Sequence, residues 1–146
     1  MQGKLSEALA VVGTIDPVGT LNSTEVFTDV VDMGANQQAL AVLLLGNVAA
    51  DTIDFKAYSC DSDGSNAAAI TGRAATQLAA HASNNDNKQL VINLRDTDLL
   101  ASGKQHAKFG VATGSTASSV GGAIVVAQPR QGLASANDLA SVVEII

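Results

Sequence analysis

Apolar and polar residues alternate along most of this chain with the two-residue period of strands, and Gly, Asn, Asp or Ser interrupts the pattern about every ten residues. Ala8 to Ile15 predicts a first strand, stopped by Asp16-Pro17, and Thr24 to Met33 a second, with Phe27, Asp29, Val31 and Met33 on one face and Val26, Thr28 and Val30 on the other. Ala39 to Leu45 is nearly all apolar, the signature of a central strand covered on both faces. Thr52 to Cys60 alternates Ile53, Phe55 and Ala57 against Asp54, Lys56 and Tyr58, as a half-buried strand does.

Two polar loops, Asp61 to Asn66 and Ser83 to Asn87, flank an Ala-rich stretch that reads as a short strand around Ile70 followed by irregular or helical chain. Gln89 to Arg95 places Leu90, Ile92 and Leu94 on one face and Val91 and Asn93 on the other. Asp96-Thr97-Asp98 before Leu99-Leu100 predicts one capped helical turn closed by Gly103. His106 to Thr113 and Gly122 to Gln128 follow, joined by a loop, 114–119, short enough for a hairpin, and Pro129 ends ladder pairing because it has no N–H. Seven or eight short strands with turns between them define a mainly β fold, an antiparallel β-sandwich or barrel, over 1–130.

Beyond Arg130 the pattern changes. Gln131 to Asp138 is small and polar, and Leu139 to Ile146 is mostly apolar. Residues 139, 142, 143 and 146 share one face of a helix, while the β-branched content suits a strand equally well. The segment 131–146 therefore reads as a C-terminal arm, extended or helical, that docks on its own domain or on a neighbouring copy.

Composition narrows the functions open to such a fold. Aromatic residues are 3% of the chain, so its 47% hydrophobic content is almost wholly aliphatic and suits two packed sheets better than a deep aromatic-walled pocket. The formal net charge of -6 opposes binding to a phosphate backbone, and no run of about 18 apolar residues suggests a membrane span. Cys60 is the only cysteine, so no internal disulfide points to an oxidising compartment, and synthesis in the cytoplasm is the expectation.

Candidate chemistry is sparse. Asp61-Ser62-Asp63-Gly64 has the opening spacing of an oxygen-ligand calcium loop but no closing acid, so it reads as a hydrophilic turn. His81 and His106 lie in no nucleophile or metal motif, and Cys60 reads as a small buried hydrophobe. Gly110 and Gly121-Gly122 sit in strand context, where they serve bends or bulges. No cofactor, metal or catalytic group is expected. Arg73, Arg95 and Arg130, each near a strand end, are the candidates for bidentate pairing with carboxylates of a neighbour.

Several segments together resemble a known family. Ala10-Val11-Val12 with its turn, Val30-Val31-Asp32-Met33, the run from Asn87 to Arg95 and the closing run from Ala136 to Ile145 resemble the capsid cement, or head decoration, proteins encoded beside the major capsid protein in tailed bacteriophages. The resemblance implies a β-sandwich that binds the outer face of an expanded head, often as a trimer, and bridges neighbouring capsomers of the major capsid protein. It implies a virion protein with no enzymatic role, and contact surfaces that include the arm residues Leu139, Val142, Val143, Ile145 and Ile146. A head-fibre or tail-associated protein that contacts the host surface is the alternative; with one Tyr and three Phe, the chain is short of the exposed aromatics that glycan sites use.

Overall fold

Residues 5–21, 23–48, 52–75, 77, 86–114 and 118–130 are described in the computed structural model. A single helical turn, α1 (Leu5–Ala8), precedes β1 (Ala10–Ile15), β2 (Val18–Leu21), β3 (Glu25–Phe27), β4 (Val31–Asp32), β5 (Asn36–Leu45), β6 (Ile53–Cys60), β7 (Ala68–Ala74), β8 (Gln89–Arg95), β9 (His106–Thr113) and β10 (Ser118–Pro129). A 3-10 helix, Asp96–Ser102, joins β8 to β9. The strands form two antiparallel sheets, β1-β10-β5-β8 with β2 also on β10, and β3-β9-β6-β7 with β4 also on β9. Counting β1 with β2 and β3 with β4 as interrupted single strands, this is the eight-stranded order of a jelly roll. The expected β-sandwich is thus present, in one particular topology.

The inner faces meet over a core centred on Phe55 and Phe109, whose ring centroids lie 6.3 Å apart. Leu43, Leu94 and Val125 from the first sheet and Ile53, Val31 and Val111 from the second pack around them, all fully buried. Truncating either ring to Ala would cost about 3–5 kcal/mol, because so few large side chains fill this core.

Register shifts decide which residues face inward. Phe27 pairs with Gly110 whereas Val31 pairs with Ala107, so one extra residue of the β3–β4 strand is accommodated at Thr28–Val30. The bulge inverts the face: Phe27 points out, and Val31 and Met33 point in. The single uninterrupted strand expected over Thr24 to Met33, with these three on one face, is corrected accordingly. Thr28 bridges the gap, its N–H donating to Phe109 O (2.9 Å) and its hydroxyl accepting from Phe109 N–H (3.0 Å).

Three other expectations change. Asp16-Pro17 interrupts the first strand but does not end it, since pairing with β10 resumes between Val18 and Val120. β5 is not covered on both faces: Ala39, Ala41, Leu43 and Leu45 are buried, while Leu40 and Leu44 are exposed. β9 and β10 are not a hairpin, because β9 pairs with β6 and β10 with β5 in the opposite sheet. Among the described strands only β6 and β7 are consecutive hairpin neighbours, as jelly-roll winding requires.

The 3-10 helix closes one end of the sandwich. Its Leu99 is buried in the core, Asp98 accepts the Arg95 N–H (2.8 Å), and Gly103, at φ 66°, reverses the chain with its N–H on Leu100 O. The expected capped turn therefore does more than punctuate: it carries the chain from the first sheet to the second.

Gly122 has φ 106° opposite the Asp16-Pro17 break, and a Cβ there would lie 2.8 Å from Ile15 O. Gly72 has φ 75° but open space around it. Gly72→Ala should cost about 1 kcal/mol of backbone strain, and Gly122→Ala about 3 kcal/mol or more, since strain is joined by a clash with backbone. Urea unfolding of the two variants checks this, and equal losses would contradict the packing described at Gly122.

Candidate contact surfaces

The alternation that buries one face of β5, β8 and β10 exposes the other, and in the first sheet that other face is also aliphatic. Cross-strand pairing sets its rows: Arg95, Gln38 and Gln128 at one end, then Asn93, Leu40 and Val126, then Val91, Val42 and Ile124, then Gln89, Leu44 and Gly122. Leu40 is 37% exposed, Leu44 43%, Val91 51% and Ile124 37%. Val11 of β1 adjoins Val126 and extends the second row. The apolar centre is rimmed by amides, with Gln38 Nε2 donating to Gln128 Oε1 at 3.2 Å. Such a contiguous aliphatic face is what a contact surface presents. A shallow cleft in it, lined by Leu9, Leu40, Asn93 and Val126 with Gln38 and Gln128, lies near the end of β10.

The outer face of the second sheet is built differently. Tyr58 O–H donates to Glu25 Oε1 at 2.6 Å, and its ring meets Phe27 edge-on at 5.5 Å. Lys108 Nζ sits 4.1 Å above the Phe27 ring and donates to Gly64 O at 2.9 Å. Gly110 makes this possible, because a Cβ there would come within 2.8 Å of the Phe27 ring and 2.7 Å of Glu25 Oε1. Lys56 and Gln77 both engage Asp54. Burial, and then the Glu25 carboxylate, push the Tyr58 phenol up to about 12. This face satisfies its own polar groups and occupies its own aromatic face.

The three arginines are placed unequally. Arg73 of β7 donates twice to Asp98, Nε to Oδ2 and Nη2 to Oδ1, each at 2.8 Å, and so ties an edge of the second sheet to the 3-10 helix. Arg130 pairs with Asp96 and donates from Nε to Gly34 O at 2.8 Å, tying the end of β10 to the same helix. Arg95 stands exposed at the rim of the aliphatic face. The hydrogen bonds from Arg73 hold the Asp98 carboxyl below the usual range, and the one from Arg130 does the same for Asp96. Leu139, Val142, Val143, Ile145 and Ile146 lie outside the described residues, as does His81.

The Asp61–Asp63 loop already holds cationic groups of its own. Lys104 Nζ is 3.1 Å from Asp61 Oδ1 and donates to Asn66 O at 2.6 Å, and the Asn66 side-chain amide donates to Asp61 Oδ2 at 2.7 Å. These hydrogen bonds, Asn66 first and Lys104 next, lower the Asp61 pKa. Ammonium groups thus stand on oxygens that a cation would need, and among the described residues no cluster of His, Cys, Asp and Glu could hold a metal. Cys60 is buried, and burial raises its thiol pKa, which disfavours the reactive thiolate.

The aliphatic outer face is the feature that sequence reasoning missed. Its signal was the alternate set Leu40, Val42 and Leu44, but in an all-apolar run that set cannot be told from a strand buried on both sides.

Two outcomes follow from these contacts. Because the folded pKa of Asp98 is lowered, its contribution to stability is complete above the ordinary carboxylate pKa near 4 and is lost as pH falls below it. With Asp98 18% and Arg73 36% exposed, solvent screening limits the pair to about 1 kcal/mol, so Asp98→Asn should lower stability by roughly that amount at pH 7 and flatten the acid limb of an unfolding-versus-pH curve. Millimolar Ca²⁺ should leave Tm unchanged in a thermal scan, since a ligand that binds only the folded chain would raise it.

Known structures resemble the chain in fold. A mutant VP2 protein of infectious bursal disease virus, from derived T=1 particles, superposes with a TM-score of 0.50 at 10% identity over 88% of this chain and 33% of that one. A chain in the structure of the Gx strain of the same virus gives 0.49 at 10% identity over 83% and 32%. The SPBc2 prophage-derived protein YomS gives 0.41 at 15% identity over 77% and 90%. The chain spans about a third of the length of the two viral chains. No protein-family model and no curated protein sequence matches it.

Proposed function

We propose that this chain is a structural protein of a bacteriophage particle, a cement subunit that seats on the outside of the head, bridges neighbouring capsomers of the major capsid protein and works as a homotrimer. The observation that carries the reading is the inequality of the two outer faces. One is aliphatic with an amide rim and is suited to being covered by protein; the other is charged, internally paired and suited to water. A subunit seated by its first sheet would bury the former and turn the latter outward.

The rest of the chemistry supports binding over catalysis. Asp54, Asp61, Asp96 and Asp98 are each paired with a Lys or Arg of the same chain, and a net charge of -6 disfavours the packaged nucleic acid as the partner. The segments that resemble head decoration proteins include β8 and the start of β1, both in the first sheet. The superposition on a VP2 protein from viral particles accords with a virion role, since jelly rolls recur in viral shells. Mass action supplies the mechanism: a protein that binds only the assembled lattice stabilises it, and symmetry multiplies each modest contact.

Cosedimentation with purified heads that lack the protein tests the reading. The paired substitution Leu40→Asp and Ile124→Asp, at positions each 37% exposed, should weaken head binding at least tenfold while lowering folding stability by about 1–3 kcal/mol, which urea unfolding of the variant measures separately. Lys56→Ala on the opposite face should bind as the parent does. Wild-type protein that fails to bind the heads, or labels tails instead, would overturn the proposal and favour a host-contacting role.

A further inference from the structure

A sandwich that is not closed into a barrel leaves each sheet with two edges, and in this molecule three of the four are interrupted. Asp16-Pro17 breaks the β1–β2 edge, the bulge at Thr28–Val30 breaks the β3–β4 edge, and β7 shifts register against β6 and holds Gly72 at φ 75°. Interruptions of this kind keep sheet edges from pairing with other chains. β8 has none: it runs beside β5 in unbroken register, from Arg95 opposite Gln38 to Gln89 opposite Leu44. We propose that β8 is a pairing edge and that its occupant is the β8 strand of a second copy of this chain, antiparallel across a two-fold axis at Val91.

Backbone geometry supplies the contact. Successive residues of an antiparallel strand turn their N–H and C=O groups alternately to one side and the other. Lys88 O accepts from Leu45 N–H at 2.9 Å, so Leu90, Ile92 and Leu94 also face β5, while Gln89, Val91, Asn93 and Arg95 face away from it. The Arg95 N–H is taken by Asp98, which ends the open row. Among the described residues, none pairs with the outward backbone groups of Gln89, Val91 and Asn93. These three residues are complementary to themselves. A two-fold at Val91 sets Val91 against its own copy and Gln89 against Asn93 of the other chain, and each such pair exchanges two hydrogen bonds.

The side chains agree with that register. On the outer face Val91, which is 51% exposed, meets its copy, and the Gln89 amide meets that of Asn93. On the inner face Leu90 meets Ile92. Lys88 falls opposite Leu94 and Arg95 opposite Asn87, so no like charges oppose one another. A cleft between β7 and β8, lined by Gly72, Arg73, Ala75, Ile92 and Asn93, leaves room beside the edge for the incoming strand. A different protein would need a matching sequence of its own, whereas a second copy supplies the match by symmetry. The pairing carries the first sheet from one chain into the next, so that two aliphatic faces become one. A two-fold contact cannot close a ring of three, so this interface is distinct from the one that would hold a trimer, and it stands independently of head binding.

Amide hydrogen exchange of the full-length chain, read by NMR, tests this. At about 1 mM the amides of Gln89, Val91 and Asn93 should exchange at least twofold more slowly than at about 50 μM, the range over which so narrow a contact associates. In a mixture of differently labelled chains at the higher concentration, an intermolecular NOE between Leu90 and Ile92 should report the register. Val91→Lys sets two ammonium groups against each other across the axis and should abolish the slowing at Gln89 and Asn93 with the fold retained, because the substituted side chain is exposed. Equally fast exchange at both concentrations overturns the proposal, and the wild-type dilution series shows this without any variant. Slowing that ignores dilution assigns the edge to cover by its own chain, and slowing that survives Val91→Lys assigns it to some other contact; either result also overturns it. Head binding is read separately by cosedimentation, so each proposal can fail alone.

Discussion

Burying one face of every strand between two sheets, with few large side chains to do it, is the constraint on which this molecule depends. Phe55 and Phe109 are the only aromatic residues among its fully buried side chains, and Ala, Val, Leu and Ile, with Met33 and Cys60, fill the rest of the described core. A core of small residues tolerates little misregister, because a slip of one position would exchange an Ala or Val inside for a Lys or Asp outside. The bulge at Thr28–Val30 and the break at Asp16-Pro17 therefore matter as much as the hydrophobic pattern. They let the two interrupted strands curve around the sandwich while each segment keeps its apolar side inward.

The ends of such a sandwich need closure that the thin core cannot provide. Here the 3-10 helix inserts Leu99, and Arg73 and Arg130 fasten it from opposite sheets through Asp98 and Asp96. These pairs are partly exposed, so their direct energetic worth is modest. Their geometric effect is larger, because they connect the edge strand β7, the end of β8 and the end of β10 through one short element. Two arginines that read as candidates for intermolecular pairing thus have carboxylate partners within their own chain.

The two outer faces give the fold its direction. Both sheets alternate in the same way, yet the residues turned outward are aliphatic on one and charged or aromatic on the other. On the second sheet Gly110 opens a shelf for Phe27, and Lys108, Tyr58 and Glu25 complete a self-contained surface. Among the described residues no comparable polar network covers Leu40, Val91 and Ile124. That contrast, more than any single residue, is what the proposed adhesive role rests on.

The positions of β6, β8 and β9, the turn before Gly103 and the alternating faces of β6 and β8 were legible in the sequence, because local periodicity and turn chemistry depend only on neighbours along the chain. The aromatic-poor composition likewise determined that the core would be a thin aliphatic layer. Only the tertiary structure decided that β9 and β10 lie in different sheets, that Phe27 turns outward while Val31 turns in, and that Leu40 and Leu44 stand exposed. Each of these rests on which distant strand lies alongside and in what register, and hydrogen bonds between strands carry that choice without leaving a mark in the local pattern of side chains.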